Sequence, residues 1–209
     1  MQISLFLLIL TTHTHTVFVK SPPPLVVLVM DPKYQPEYQY MVDKYNGKLV
    51  FASPGIERQG SVQNGLHRVV ESIQCDYVAI HDSARPLVTM NEIINVLHDA
   101  KQMGTAAVLG VPCKATMKEC VNGKVIRTIP RSTLWEVHTP QVISTSLLLR
   151  GYEEQSEQQF TDDVSIVEAL GEPVQMTLGE YTNLKITTPE DILVATAILE
   201  DRNAPLFVM

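Results

Sequence analysis

No glycine precedes Gly47 in this 209-residue chain, and Lys20 is the only basic residue before Lys33. A glycine-rich phosphate loop, in which main-chain N–H groups approach an anion closely, is therefore excluded upstream of Leu25. Cysteine is confined to Cys75, Cys113 and Cys120, with no CxxC spacing. That fits a reducing compartment better than a thiolate zinc site or a disulfide framework. Positive charge is in deficit, 16 Lys and Arg against 23 Asp and Glu, for a net charge of −7. Such a balance argues against a general nucleic-acid binder, though a local basic cluster can still hold a small phosphate. The apolar run Ile3–Leu10 is far too short to span a bilayer. It has neither the basic leading segment nor the small-residue cleavage site of a signal peptide, and the arginines of a transit peptide are missing. No GxGxxG motif follows the first strand, which speaks against a Rossmann-type dinucleotide binder.

What is present is a chain of 45% hydrophobic and 19% charged residues, enough for one globular domain with a substantial core. Residues 1–24, with their Thr/His tract and the Pro22–Pro24 run, read as an atypical N-terminal segment foreign to the fold that follows. From Leu25 apolar runs and helical patterns alternate. Leu25–Met30, Lys48–Ala52, Tyr77–Ile80 and Thr105–Val111 read as buried strands. The intervening segments read as helices: Pro36–Tyr45, burying Met41, Val42 and Tyr45; a helix opened by Ser61, with Val62, Leu66, Val69, Val70 and Ile73 on one face; and a helix capped by Thr89 and Glu92 in a capping box. This alternation predicts a mostly parallel sheet with helices on both faces. Within the resulting domain, 25–203, the stretch 112–140 departs from the rhythm. Asn122-Gly123 between Thr116–Val121 and Lys124–Ile129 predicts a two-stranded ribbon. A lone ribbon cannot bury itself, so a dimerisation arm is expected. Helices follow near Ser144–Tyr152, from Thr161, and from Thr188-Pro189 through Leu199; Pro173–Leu178 and Asn183–Thr187 read as strands.

Tyr77–Pro86, YVAIHDSARP, is the segment richest in chemistry. A buried strand ends in a turn bearing Asp82 and Arg85, and ligands of open α/β sheets bind beyond the carboxyl ends of strands. Asp82 can hold a divalent cation and Arg85 can pair with phosphate oxygens. Equally, the two side chains can simply form an ion pair with each other. Further segments place polar groups at predicted strand ends and loops: GIERQGSV from Gly55, Thr116-Met117-Lys118, Thr139-Pro140-Gln141, Thr161-Asp162-Asp163 and NLKIT from Asn183. Ser61 and Thr161 suit helix caps as well as ligand contacts. Arg131 and Lys185 suit plain surface charges, and Trp135 a packing anchor at the ribbon base.

Taken in order, HDSARPLV, KATMKE, LWEVHTPQV, TDDVSIVEALG and NLKIT resemble 2-C-methyl-D-erythritol 4-phosphate cytidylyltransferases of the plant and cyanobacterial type, from about Val26 to Leu199. The resemblance implies a nucleotidyltransferase-type, Rossmann-like α/β fold and transfer of CMP from CTP to 2-C-methyl-D-erythritol 4-phosphate, with release of diphosphate. It implies Mg2+ at Asp82, and Lys185 neutralising charge at the reacting phosphates. Gly55, Ser61, Ser83 and Arg85 are implied around the nucleotide; family members often have Ala where Ser83 stands. Thr116, Arg131, Thr139 and Thr161 are implied around the sugar phosphate, part of that pocket arriving across a homodimer through the arm. Neither nucleic acid nor membrane is implied as a partner. The expected location is the plastid stroma in a plant, or the cytoplasm in a bacterium.

The resemblance fails at the front. The family opens with a strand, a glycine-rich loop with a basic pair, and a helix, whereas residues 1 to about 16 stand in their place here. Ile3–Leu10 has the length and apolarity to occupy the vacant strand position. The chain as written is expected to have little activity. Alternatives are a degenerate homologue acting as a dimer partner, or a cytidylyltransferase for ribitol 5-phosphate or another polyol phosphate.

Overall fold

A computed structural model describes residues 3–10, 25–155 and 158–203. In chain order the elements are β1 (Ile3–Leu10), β2 (Leu25–Met30), α1 (Gln35–Lys44), β3 (Leu49–Ala52), α2 (Arg58–Ser72), β4 (Tyr77–His81), α3 (Met90–Met103), β5 (Ala106–Pro112), β6 (Met117–Val121), β7 (Lys124–Ile129), β8 (Trp135–Ser144), α4 (Thr145–Glu154), α5 (Ser165–Ala169), β9 (Val174–Leu178) and α6 (Pro189–Asn203). The Thr/His tract and the proline run between β1 and β2 lie outside the described residues. No helix among the described residues is long and apolar enough to cross a membrane.

Seven strands form one sheet in the order β3-β2-β1-β4-β8-β5-β9. β2, β3, β4, β5 and β9 share a direction, and β1 and β8 run against it. Ile3–Leu10 thus lies between β2 and β4, antiparallel to both. Ile9 faces Leu25 while Phe6 faces His81. β1 therefore ends, and β2 begins, at the sheet edge opposite the one where β4 delivers Asp82.

Both faces are covered, which is why the parallel strands are continuously apolar. On one face Val27, Val29, Val78 and Ile80 pack with Val62, Leu66 and Val69 of α2, Leu148 of α4, and Ile166 and Val167 of α5. On the other, Ala79, Ala107, Leu109 and Val142 pack with Val96, Leu97 and Ala100 of α3. The Thr89–Glu92 capping box forms as expected, and Gly104 closes α3 in the left-handed conformation.

Five expectations need correcting. The helix expected from Thr161 begins only at Ser165, after a turn bearing Asp162 and Asp163. α1 buries nothing, and Tyr45 remains 39% exposed, because α1 lies against the edge strand β3 rather than over the sheet. α2 begins at Arg58, not Ser61, and Val70 points to solvent. Asn183–Thr187 is not a strand; it crosses over the turn after β4, with the Ile186 N–H donating to the Ala84 carbonyl at 2.8 Å. β8, a central strand, went unforeseen. Pro140 sits within it and cannot donate to the ladder, and the ladder to β5 is irregular between Val108 and Gly110 to accommodate that stretch.

The ribbon formed as expected. β6 and β7 pair around Asn122 and Gly123, both with positive φ as a tight hairpin requires. Met117, Val121, Val125 and Ile126 are 43–59% exposed, so among the described residues nothing covers the apolar side chains of the ribbon.

Candidate functional site

A cleft of about 350 Å³ opens beyond the carboxyl end of β4, where the strand gives way to the turn His81–Arg85. Asp82 and Lys185 face each other across it, Lys185 Nζ 2.6 Å from Asp82 Oδ2. The other carboxylate oxygen, Oδ1, accepts the Ala84 N–H at 3.1 Å, and the Arg85 N–H closes the turn onto the Asp82 carbonyl at 2.9 Å. Partial burial pushes the Asp82 carboxyl up. The Lys185 and Ala84 hydrogen bonds and the nearby Lys185 and Arg58 charges more than offset it and hold the group below the ordinary carboxylate range. Asp82 is therefore an anion at neutral pH.

Arg85 does not pair with Asp82. Its guanidinium is buried and donates to the main-chain carbonyls of Asn183 (2.6 Å) and Val137 (3.4 Å). Asn183, itself fully buried, donates from Nδ2 to the Thr139 carbonyl at 3.0 Å. These bonds tie the β4 turn, β8 and the segment before α6 together, and so bring Lys185 to Asp82. The ion-pair alternative for the HDSARP motif is resolved against Arg85: the partner of Asp82 is Lys185.

Thr139 and Thr161 also line the cleft, together with Arg58, His138, Gln141 and Asp162. The Asp162–Asp163 turn is held from two sides. Gln141 Oε1, buried on β8, accepts the N–H groups of Asp163 and Val164, both at 2.9 Å. Arg58, at the first position of α2, donates both terminal nitrogens to Asp163, at 2.8 and 2.6 Å, in the bidentate geometry that suits a guanidinium. Burial works against the Arg58 charge, yet the Asp163 contacts raise its pKa above the ordinary value. Asp162 holds the turn before α5, accepting from the Ser165 hydroxyl and, at 3.1 Å, from its N–H.

The remaining expected residues fall into three groups outside the cleft lining. Gly55 and Ser61 act on the start of α2. Ser61 Oγ accepts the Gly55 N–H at 3.0 Å and donates to the Glu57 carbonyl at 3.1 Å, which fixes the loop that presents Arg58. A Cβ on Gly55 would come within 2.5 Å of the Gly60 carbonyl carbon and 2.8 Å of the Ser61 nitrogen, both main-chain atoms. Gly55→Ala is therefore expected to cost about 1–3 kcal/mol by overpacking. In thermal denaturation that reads as a Tm lower by roughly 2–10 °C; an unchanged Tm would contradict the close packing. Ser83 lies half-buried in the β4 turn. Thr116 and Arg131 are exposed at the base of the ribbon, Arg131 donating to the Lys114 carbonyl at 2.8 Å. Trp135 opens β8 beside them, opposite Pro112 and 38% exposed.

Sequence reasoning assigned no role to Arg58, Gln141 or Asn183, and placed Asp163 only at the positive end of a helix dipole. The only available signal was position: each lies inside a segment already singled out for its polar groups at a strand end or loop.

No group of three or more His, Cys, Asp or Glu side chains able to hold a metal occurs among the described residues. A caged structural metal therefore does not fit. A cation held by one carboxylate, with its other ligands coming from phosphates and water, does fit. Asp82 offers that carboxylate, ionised and facing the cleft; a cation there would take the place Lys185 now holds on Oδ2, while Oδ1 keeps the Ala84 N–H.

A mostly parallel sheet with a polar cleft beyond a strand end, lined by an ionised acid and basic residues, defines an α/β fold of the nucleotidyltransferase type. The chain belongs to the family described as IspD, 2-C-methyl-D-erythritol 4-phosphate cytidylyltransferase, which it matches over residues 8–201. The family is one of cytidylyltransferases, enzymes of nucleotidyl transfer. A chloroplastic 2-C-methyl-D-erythritol 4-phosphate cytidylyltransferase of Oryza sativa subsp. japonica is 46% identical over 180 residues, which cover 85% of this chain and 60% of that protein. The chain thus spans under two thirds of that plant relative. A bacterial one from Geobacillus thermodenitrificans is 41% identical, covering 86% of this chain and 78% of that protein. Among solved structures, 4-diphosphocytidyl-2C-methyl-D-erythritol synthase of Anaerococcus prevotii superposes with a TM-score of 0.76 at 26% identity, covering 85% of this chain and 82% of that one. The cytidylyltransferase of Thermus thermophilus gives 0.63 at 35% identity, covering 72% and 73%.

Proposed function

We propose that this chain transfers a cytidylyl group from CTP to 2-C-methyl-D-erythritol 4-phosphate. The observation that carries the reading is the Asp82–Lys185 pair, 2.6 Å apart in a cleft that Thr139 and Thr161 also line. A phosphate oxygen of the alcohol forms a bond to the α-phosphorus of CTP, and the bond from that phosphorus to the diphosphate oxygen breaks. Such chemistry calls for positioning and charge neutralisation rather than a covalent nucleophile. Asp82 would hold Mg2+, which supplies charge neutralisation on the phosphate oxygens when bound. Lys185, freed from Asp82, supplies a flexible positive charge to the reacting phosphates. Arg85 and the Gly55–Ser61 loop shape the nucleotide side, and Thr139 and Thr161 the sugar-phosphate side.

Thr116 and Arg131 belong to this reading through a second copy of the chain. They stand at the base of a ribbon exposed on both faces, and a homodimer through β6 and β7 would bury that ribbon and bring them to a partner's cleft. The name of the rice relative supports a plastid location for a plant chain. For a polypeptide of these 209 residues alone, the glycine-free stretch before Gly47 favours a second reading, a non-catalytic homologue that pairs with an active subunit.

The test is a single-turnover assay with stoichiometric protein, Mg2+, CTP and 2-C-methyl-D-erythritol 4-phosphate, followed by phosphorus NMR. Slow diphosphate release that Asp82→Asn abolishes is the expected result. Release no greater than that of Asp82→Asn would overturn the enzyme reading in favour of the dimer partner. A preference for ribitol 5-phosphate would reassign the substrate.

A further inference from the structure

We propose that His81 is a positioning residue that fixes the hydroxyl of Thr139 and, through it, the main-chain turn bearing Asp82. Thr139 then serves that turn as a hydrogen-bond acceptor and does not donate to a ligand phosphate. The proposal rests on the cytidylyltransferase reading for its consequence, but its geometry stands apart from it.

The direction of each hydrogen bond follows from what each atom can do. His81 Nε2 lies 3.0 Å from the Arg85 carbonyl, which only accepts, so Nε2 carries a hydrogen. In the neutral ring that one hydrogen is the only one the two nitrogens share. Nδ1 is then a lone pair. It lies 3.0 Å from Thr139 Oγ1, which must donate to it. The same oxygen accepts the Asp82 N–H, also at 3.0 Å. A threonine hydroxyl has one proton, and here it is committed to His81. An ionised phosphate offers only acceptors and finds no donor at Thr139.

His81 does not line the cleft; it braces the turn from behind. One ring nitrogen holds the far end of the turn at Arg85. The other holds Thr139, and Thr139 holds the near end at Asp82. The carboxylate that meets Lys185 thus depends on a ring that touches no ligand.

The test uses the full chain. Nitrogen NMR of the His81 ring is expected to show the neutral Nε2–H form at neutral pH. His81→Leu and Thr139→Val are each expected to speed hydrogen exchange of the Asp82 amide by roughly five- to tenfold. The double variant should add nothing further, as for two members of one relay. Thr139→Ser should keep the wild-type exchange, and His81→Asn, which retains an acceptor near the Nδ1 position, should recover part of it. If His81→Leu does not fold, His81→Asn and Thr139→Val decide the matter. Titration with 2-C-methyl-D-erythritol 4-phosphate is expected to show Thr139→Val losing no more affinity than the His81 variant. Thr139→Val weakening that binding, while the His81 variant leaves both binding and Asp82 exchange unchanged, would overturn the proposal and make Thr139 a direct donor. Absence of any such binding by the unaltered chain, with the ring form and exchange pattern as expected, would instead count against the cytidylyltransferase reading alone.

Discussion

Lys185→Ala is expected to slow cytidylyl transfer by about 10²–10³-fold, the scale of removing one preorganised charge-stabilising group. Lys185 lies on an irregular segment pinned to the β4 turn by Ile186 and Asn183, so its ammonium reaches Asp82 without support from a strand. On the proposed reading, a cation on Asp82 would release the ammonium to phosphates bound in the same cleft. Lys185→Arg keeps the charge but spreads it over a planar fork, and should recover only part of the rate. The loss should fall mainly on kcat, since charge developing in the transition state is what Lys185 meets. A second readout follows from the acid side. The depressed Asp82 pKa stabilises the fold above the group's unfolded-state value, and that stabilisation disappears as pH falls through the lower folded-state value. In Lys185→Ala the Asp82 carboxyl should titrate at higher pH, visible by carbon NMR of its carboxylate. An unmoved titration with an unchanged rate would remove Lys185 from the site.

The second large effect concerns the triphosphate. A polypeptide made of these 209 residues alone is expected to turn over at least about 10²–10³-fold more slowly than the Geobacillus thermodenitrificans relative, because main-chain phosphate donors of this kind are worth that much singly. The register of β1 gives the structural reason. Leu10 and Leu25, the residues that bound the β1–β2 connection, both lie at the edge away from Asp82. The two strand ends that flank residues 11–24 thus stand away from the cleft, and those residues contain no glycine and one lysine. Steady-state diphosphate release by the two proteins side by side measures the difference. Equal rates would mean that phosphate binding needs no such loop here.

What was legible in the sequence was short-range. β2, β3 and β4 announce themselves as apolar runs, α3 by the four-residue capping signal of Thr89 and Glu92, and the ribbon by Asn122-Gly123. The HDSARP turn was legible as a site because the acid and base follow a buried strand directly. What it paired with was not. Arg85, three residues from Asp82, looked like the partner, but its guanidinium is bound to carbonyls on β8 and before α6, and the partner is distant Lys185. The Arg58–Asp163 pair spans 105 positions and has no local signature. β8 was hidden by Pro140 and by the polar His138, Thr139 and Gln141, which break strand alternation because they serve the cleft and the adjoining turns. α1 failed in the other direction. Its apolar periodicity is real, but an edge strand offers too little surface to bury it.

The most direct test of the cleft as a metal-dependent nucleotide site is a CTP titration of the chain, with and without Mg2+, followed by amide NMR. The expected result is Mg2+-dependent binding that shifts Ala84, Thr139 and Ile186 around Asp82 and Lys185, and that Asp82→Asn removes. Binding that ignores Mg2+, or shifts that leave this turn untouched, would contradict the account.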